Sequence, residues 1–267
     1  MRSVAAAAAL LLGAPASSFP VVDVRAFGAD ATGAAPSTRA IHAALAAIEA
    51  EGGGTLYFPP GTYHSAPFNL TSNSVLLLDD ATLFAAKMDS GEFKVIPPLP
   101  SYGEGRDKLP NDLNGRFEPF IGAFFVSNVT ITTNSSGTID GSGFEWWAAK
   151  DAGTLRNTPP HLFEAAWSAG VTIGAPVGAP LNALTLESSP FWNLHLYDSD
   201  DSWVHDVSIF ADIGVGNTDG GESVGARACT CARARARGAA VTHLPPPPPP
   251  TPLLPRSRPR LVAQHTH

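Results

Sequence analysis

The first 220 residues contain no cysteine; the chain's two, Cys229 and Cys231, stand as C-x-C in the last fifth of the sequence. A disulfide framework is therefore excluded as the support of a domain in that stretch. Two thiolates also fall short of the four ligands of a structural zinc site, so no metal is implied. Charge is scarce too. Asp, Glu, Lys and Arg make up 15% of the chain, which argues against a charged helical protein. The net charge of −7 counts against a nucleic-acid partner. No apolar run reaches the roughly 18 residues of a membrane span, so no membrane partner is expected. Nothing in the sequence calls for a cofactor.

What is present is apolar and turn-rich. Of 267 residues, 44% are hydrophobic, and Gly and Pro number 25 each. That composition points to many turns and short strands. Arg2, the apolar run Val4 to Leu12 and the small residues Gly13 to Ser18 have the order of a signal peptide spanning 1–18. Secretion to the extracellular space or cell wall is the expectation. Sequons at Asn69, Asn128 and Asn134 fit a secreted, glycosylated chain.

A seam falls at Gly220. Seven of the 17 basic residues follow it, but only one of the 24 acidic residues, Glu222. The tail also carries Pro245 to Pro250 and no aromatic residue. Residues 221–267 are expected to be a disordered Ala/Arg/Pro-rich tail, because they offer too little apolar surface to offset ordering entropy. A basic arm for polyanions, a proline-rich ligand and translation of an intron or wrong frame are the other readings.

Residues 19–220 read as one helix followed by short strands. Ser37 is a candidate N-cap. Ile41, Ala44, Leu45 and Ile48 recur at helical spacing, and Gly52 to Gly54 end the run. Strand segments follow at Thr55–Phe58, Val75–Leu78, Phe124–Ile131, Val171–Ile173, Leu184–Leu186, Leu194–Leu196 and Val207–Ile209. They repeat: Leu184-Thr-Leu186 and Val207-Ser-Ile209 lie 23 residues apart, and Val129-Thr-Ile131 matches Val171-Thr-Ile173. The expected fold is all-β, a right-handed parallel β-helix whose N-terminal end the helix caps. An irregular β-sandwich is the alternative.

Motifs in order then become specific. Val22-Asp-Val-Arg-Ala-Phe-Gly-Ala-Asp30 opens the series, followed by Gly53-Gly-Thr-Leu-Tyr-Phe-Pro-Pro-Gly-Thr-Tyr63. Phe68-Asn-Leu-Thr-Ser72, Leu76-Leu-Leu-Asp79 and Ile96-Pro-Pro-Leu-Pro-Ser-Tyr-Gly103 come next. Gly137-Thr-Ile-Asp-Gly-Ser-Gly143 with Trp146-Trp147, Ser189-Pro-Phe-Trp-Asn-Leu-His195 and Asn217-Thr-Asp-Gly220 complete it. Over residues 21–220 the chain resembles the polygalacturonases of glycoside hydrolase family 28.

The resemblance implies a pectin-lyase-like solenoid and inverting hydrolysis of pectin-like polyuronides without a cofactor. Such hydrolysis needs one carboxyl group to protonate the leaving oxygen and another to activate water. It places Asp219 as a catalytic carboxylate, with Asn217 orienting it or touching substrate and His195 bordering the cleft. Past Gly220 the family's Gly-Asp-Asp, Gly-His-Gly and Arg-x-Lys do not occur in this sequence. The chain as written is thus expected to be inactive and truncated at the C-terminal end of its solenoid, with the completed protein a monomer. An uncovered last coil should make it poorly soluble. Asp198, Asp200 and Asp201 precede Asp219 and read as a turn, as does Asp140. Trp146, Trp147, Trp192 and Trp203 read as packing before sugar stacking. Tyr102 and Arg106 lie in a loop that could flank the cleft. A non-catalytic polysaccharide-binding β-helix and a calcium-dependent pectate lyase are the competing functions.

Overall fold

The computed structural model describes residues 19–100, 115–211, 218, 220–224 and 229–237. The chain winds as a parallel β-helix of three sheets. The first sheet stacks Val21–Asp23, Gly54–Phe58, Ser74–Leu78, Ser127–Thr133, Ala169–Gly174 and the first half of Ser202–Phe210. The second stacks Thr32–Pro36, Gly61–Ser65, Ala81–Ala85, Gly137–Asp140, Leu184–Glu187 and the second half of Ser202–Phe210. That long strand serves both sheets because it bends at Asp206, whose φ is 46°. The third sheet stacks Phe68–Asn69, Ile121–Phe124, Phe163–Ala166, Leu194–Tyr197 and Glu222–Val224. Outside the coils, Val95–Ile96 pairs antiparallel with Arg116–Phe117.

The V-T-I repeats are the register itself. Val129, Thr130 and Ile131 pair with Val171, Thr172 and Ile173, and Leu184, Thr185 and Leu186 pair with Val207, Ser208 and Ile209. Period-two alternation sends every second side chain inward. Leu56, Leu76, Ile131, Ile173 and Val204 therefore form one buried column in the first sheet. Tyr63, Leu83, Ile139, Leu186 and Ile209 form another in the second. The outward threonines leave the columns free to grow by one apolar side chain per coil.

Helix α1 (Thr38–Ala50) buries Ala40, Ile41, Ala44, Leu45 and Ile48 against the first coil and closes the N-terminal end of the core. Ser37 precedes it but makes no side-chain cap. Its N–H is committed to the His64 carbonyl at 2.7 Å, and its hydroxyl accepts from the Asp30 N–H at 3.0 Å. At the other end the Gly53 N–H donates to the Ile48 carbonyl at 3.0 Å, with Gly52 at φ 76°. A second helix, α2 (Phe144–Asp151), sits between coils and carries Trp146 and Trp147.

The solenoid does not stop at Gly220. Glu222–Val224 extends the third sheet, and Cys229–Arg237 pairs along the whole of Ser202–Phe210. Disorder from residue 221 is thus corrected for these strands. The signal was a strict alternation of Ala with Arg, which matches the pleat: Ala234 and Ala236 lie in register with Val207 and Ile209. No helix among the described residues is long and apolar enough to cross a membrane.

Candidate active site

The outward face of the third sheet gathers the chain's most unusual polar groups. Ile121 and Ala123, Phe163 and Ala165, and Leu194 and Leu196 belong to the core. The residues between them, Gly122, Glu164 and His195, share one register on the other face, flanked by Asn69 and position 222. Gly122 is small for a reason: a Cβ there would collide with the Asn69 side chain.

Glu164 is wholly buried on that outward face. Arg116, reaching in from the antiparallel pair, donates from Nη1 to Oε2 and from Nη2 to Oε1, both at 2.6 Å. This bidentate fork is the strong form of a carboxylate pair. His195 Nδ1 lies 2.9 Å from Glu164 Oε2. His161 Nδ1 lies 3.0 Å from the same oxygen, yet without hydrogen-bond alignment, and its Nε2 is buried with no partner. The two imidazoles stack at 4.5 Å and 25°, under Trp192 and Phe191.

Burial pushes the His161 imidazole down to about 4, against the opposing pull of Glu164. For Glu164 burial acts upward, but the His161 and His195 contacts and the Arg116 charge outweigh it, holding the carboxyl well below the usual range. Both shifts act on stability in one direction. Between pH 6.5 and about 4 the unfolded chain takes up a proton at His161 that the folded chain refuses, so stability falls with pH. The Glu164 contribution is present above its unfolded pKa and is lost on further acidification. The midpoint of thermal unfolding should therefore drop from pH 6.5 to 4, and His161→Phe should flatten that slope. An unchanged slope in the variant would contradict the assignment.

His161, Glu164 and His195 place three potential metal-ligand atoms within 4.8 Å of one another. The charge balance does not suit a divalent cation. Arg116 already neutralises the single carboxylate and occupies both its oxygens, so a metal would add two buried positive charges beside a third.

Of the sequence-predicted site residues, His195 lies in this cluster and is buried, so it braces the face. Asn217 and Asp219 lie outside the described residues, as do Tyr102 and Arg106. Their surroundings are described in part. Buried Asn193, which precedes the strand that bears His195, donates from Nδ2 to the carbonyl of Thr218 at 3.2 Å. Asp198, Asp200 and Asp201 form the expected turn between coils: the Asp200 N–H donates to the Ser168 carbonyl at 2.9 Å, and φ is 42° at Asp198 and 50° at Asp201. Asp140 accepts from the Ser142 N–H at 2.8 Å as a turn residue. Trp146 is buried against Phe93 and Phe117, and Trp147 Nε1 donates to the Ser189 carbonyl at 3.1 Å, both packing roles. Trp192 is half-buried over the histidines, and Trp203, 39% exposed, stacks on His205 at 3.8 Å.

Sequence reasoning missed Arg116, His161 and Glu164. One signal was available. Phe163-Glu164-Ala165-Ala166 is an acid inside an otherwise apolar strand, and a buried acid needs a cation.

The family model of rhamnogalacturonase A/epimerase, pectate lyase-like proteins matches residues 21–168. A probable polygalacturonase of Vitis vinifera is 36% identical over 199 residues, 73% of this chain and 38% of that protein. The chain thus spans about two fifths of that relative. A mannuronan C5-epimerase of Azotobacter vinelandii is 32% identical over 126 residues, 45% of this chain and 6% of its own length. Among solved structures, a hyperthermoactive exopolygalacturonase from Thermotoga maritima superposes with a TM-score of 0.61 at 18% identity, covering 81% of this chain and 52% of that one. A polygalacturonase from Erwinia carotovora gives 0.59 at 21% identity, covering 84% and 59%. These structural likenesses establish the right-handed β-helix. More than half of the sequence matching one family model, the chain belongs to the rhamnogalacturonase A/epimerase, pectate lyase-like family and is polygalacturonase-like within it.

Proposed function

We propose that the protein binds and hydrolyses glycosidic bonds of pectin-like polyuronides by an inverting mechanism, on the outward face of the third sheet. The observation that supports this most is the Asn217-Thr-Asp-Gly220 match within a polygalacturonase-like chain, with the Thr218 carbonyl accepting from Asn193 ahead of the strand that bears His195. In this reading Asp219 activates water, Asn217 orients it or contacts the sugar, and His195 holds the face from beneath. The Arg116–Glu164 pair ties the antiparallel pair Val95–Ile96 and Arg116–Phe117 to the third sheet under the substrate. The protein acts as a secreted monomer. Asn69, Asn128 and Asn134 are all exposed, but the Asn128 Nδ2 donates to Asn73 Oδ1 at 3.0 Å and Asn69 lies on the third sheet, which leaves Asn134 best placed to carry a glycan.

The printed sequence has Asp219 but not the pattern's adjacent aspartates, Gly-His-Gly or Arg-x-Lys. One carboxylate does not serve as both acid and base in this scheme. A non-catalytic wall-polysaccharide-binding β-helix is the second reading. Reducing-end release by a chimera that supplies the following coils, with and without Asp219→Asn, separates the two.

A further inference from the structure

Where the third sheet turns into the first, successive coils place Phe125, Trp167 and Asp198 at equivalent positions. The Phe125 N–H donates to the Ala166 carbonyl and the Trp167 N–H to the Tyr197 carbonyl, each at 3.1 Å. All three residues hold left-handed backbones, with φ of 56°, 52° and 42°. That conformation suits glycine or asparagine and is costly for a bulky side chain. Two consecutive coils nevertheless carry an aromatic residue there.

The rings make a platform. Phe125 is 74% exposed and lies parallel to Trp167, with centroids 4.8 Å apart and planes at 11°. Tyr197 backs Trp167 edge-on at 5.5 Å and 79°. Leu99, Ala166 and Phe124 pack beneath. Phe125 lies three residues past Gly122 and Trp167 three past Glu164, so the platform borders the outward face along its length.

Charge narrows what can lie on it. The position that continues the stack is Asp198, which is exposed, and the same turn carries Asp200 and Asp201. At the coil spacing of about 4.8 Å, Asp198 is one coil from Trp167 and about 10 Å from Phe125, about one screening length at 0.1 M salt, so its repulsion is strongest at low ionic strength. A free uronate laid along the stack meets like charge; an uncharged ring does not.

We propose that Phe125, backed by Trp167, forms a stacking subsite for a pyranose ring without a free carboxylate, a methyl-esterified uronate or a neutral sugar of the pectin-like chain. Trp167 covers one face of Phe125, and the flat apolar face of such a ring matches the face left open. This rests on the functional reading above and names the substrate form it prefers.

Calorimetric titration of the full 267-residue chain with tri-galacturonic acid, its fully methylated ester and galactotriose tests it. The ester is expected to bind more tightly than the acid. Phe125→Ala, at an exposed position, should melt like the parent chain and bind the ester about tenfold more weakly. Asp198→Asn should strengthen binding of the acid and narrow the gap. Galactotriose binding that also depends on Phe125 assigns the neutral ring as ligand; its failure to bind assigns the ester. If Phe125→Ala binds the ester as tightly as the parent, the subsite is overturned while the functional reading stands. If neither form of the trigalacturonide binds the parent chain, both fall.

Discussion

Replacing Glu164 by Gln should cost the protein about 3–5 kcal/mol of stability, the penalty for stranding one member of a buried ion pair. Arg116 is 7% exposed and Glu164 not at all. The fork at 2.6 Å is the only ion pair among the described residues in which both groups are permanently charged and buried. Removing the carboxylate leaves the guanidinium with no counter-charge in a site that water does not reach. For a domain of about 200 residues, this lowers the thermal midpoint by roughly 10 °C. The double variant Arg116→Met/Glu164→Leu removes both charges and should recover most of the loss, because the desolvation cost goes with them. If Glu164→Gln melts with the parent, the ion pair does not hold the antiparallel pair that bears Arg116 to the third sheet.

The second large effect is catalytic. Residues 1–220 joined to the coils that follow the matching position in the Vitis vinifera relative should release reducing ends from polygalacturonate. Asp219→Asn in that chimera should lower the rate by at least about 100-fold, the ordinary worth of a positioned acid or base. Binding should persist, since the amide keeps the size and hydrogen-bonding reach of the carboxylate. Circular dichroism and a single cooperative melt establish that the chimera folds. A folded chimera that binds and never cleaves would favour the non-catalytic reading. Cleavage that survives Asp219→Asn would remove Asp219 from the mechanism.

The fold was legible because a solenoid writes its register into the sequence. Val129-Thr-Ile131 and Val171-Thr-Ile173 look alike because they are stacked neighbours, and the helix ahead of the first coil has one apolar stripe because it covers one open end. Of the candidate site residues, Asp219 was expected from a local motif and lies outside the described residues. Asp219 announces itself by the three residues around it. The cluster at Glu164 draws Arg116, His161 and His195 from 48, 3 and 31 residues away, and nothing in a linear pattern brings these together until the register is known. Helix α2 was hidden for a similar reason: its mixed run from Phe144 to Asp151 has no single apolar face, because Trp146 and Trp147 are buried on different neighbours. The strand Cys229–Arg237 was missed through composition. Residues 221–267 read as a disordered Ala/Arg/Pro-rich tail, while the alternation of Ala with Arg was the pattern of a pleated strand.

The central claim is that a pectin-like chain lies along the outward face of the third sheet. A crystal structure of this chain with a partly methylated trigalacturonide bound tests it most directly. Sugar density is expected above Phe191 and Trp192, which cover the buried Glu164 and His195 row, with an esterified ring against Phe125. Density confined to the first or second sheet, with the third sheet bare, would contradict it.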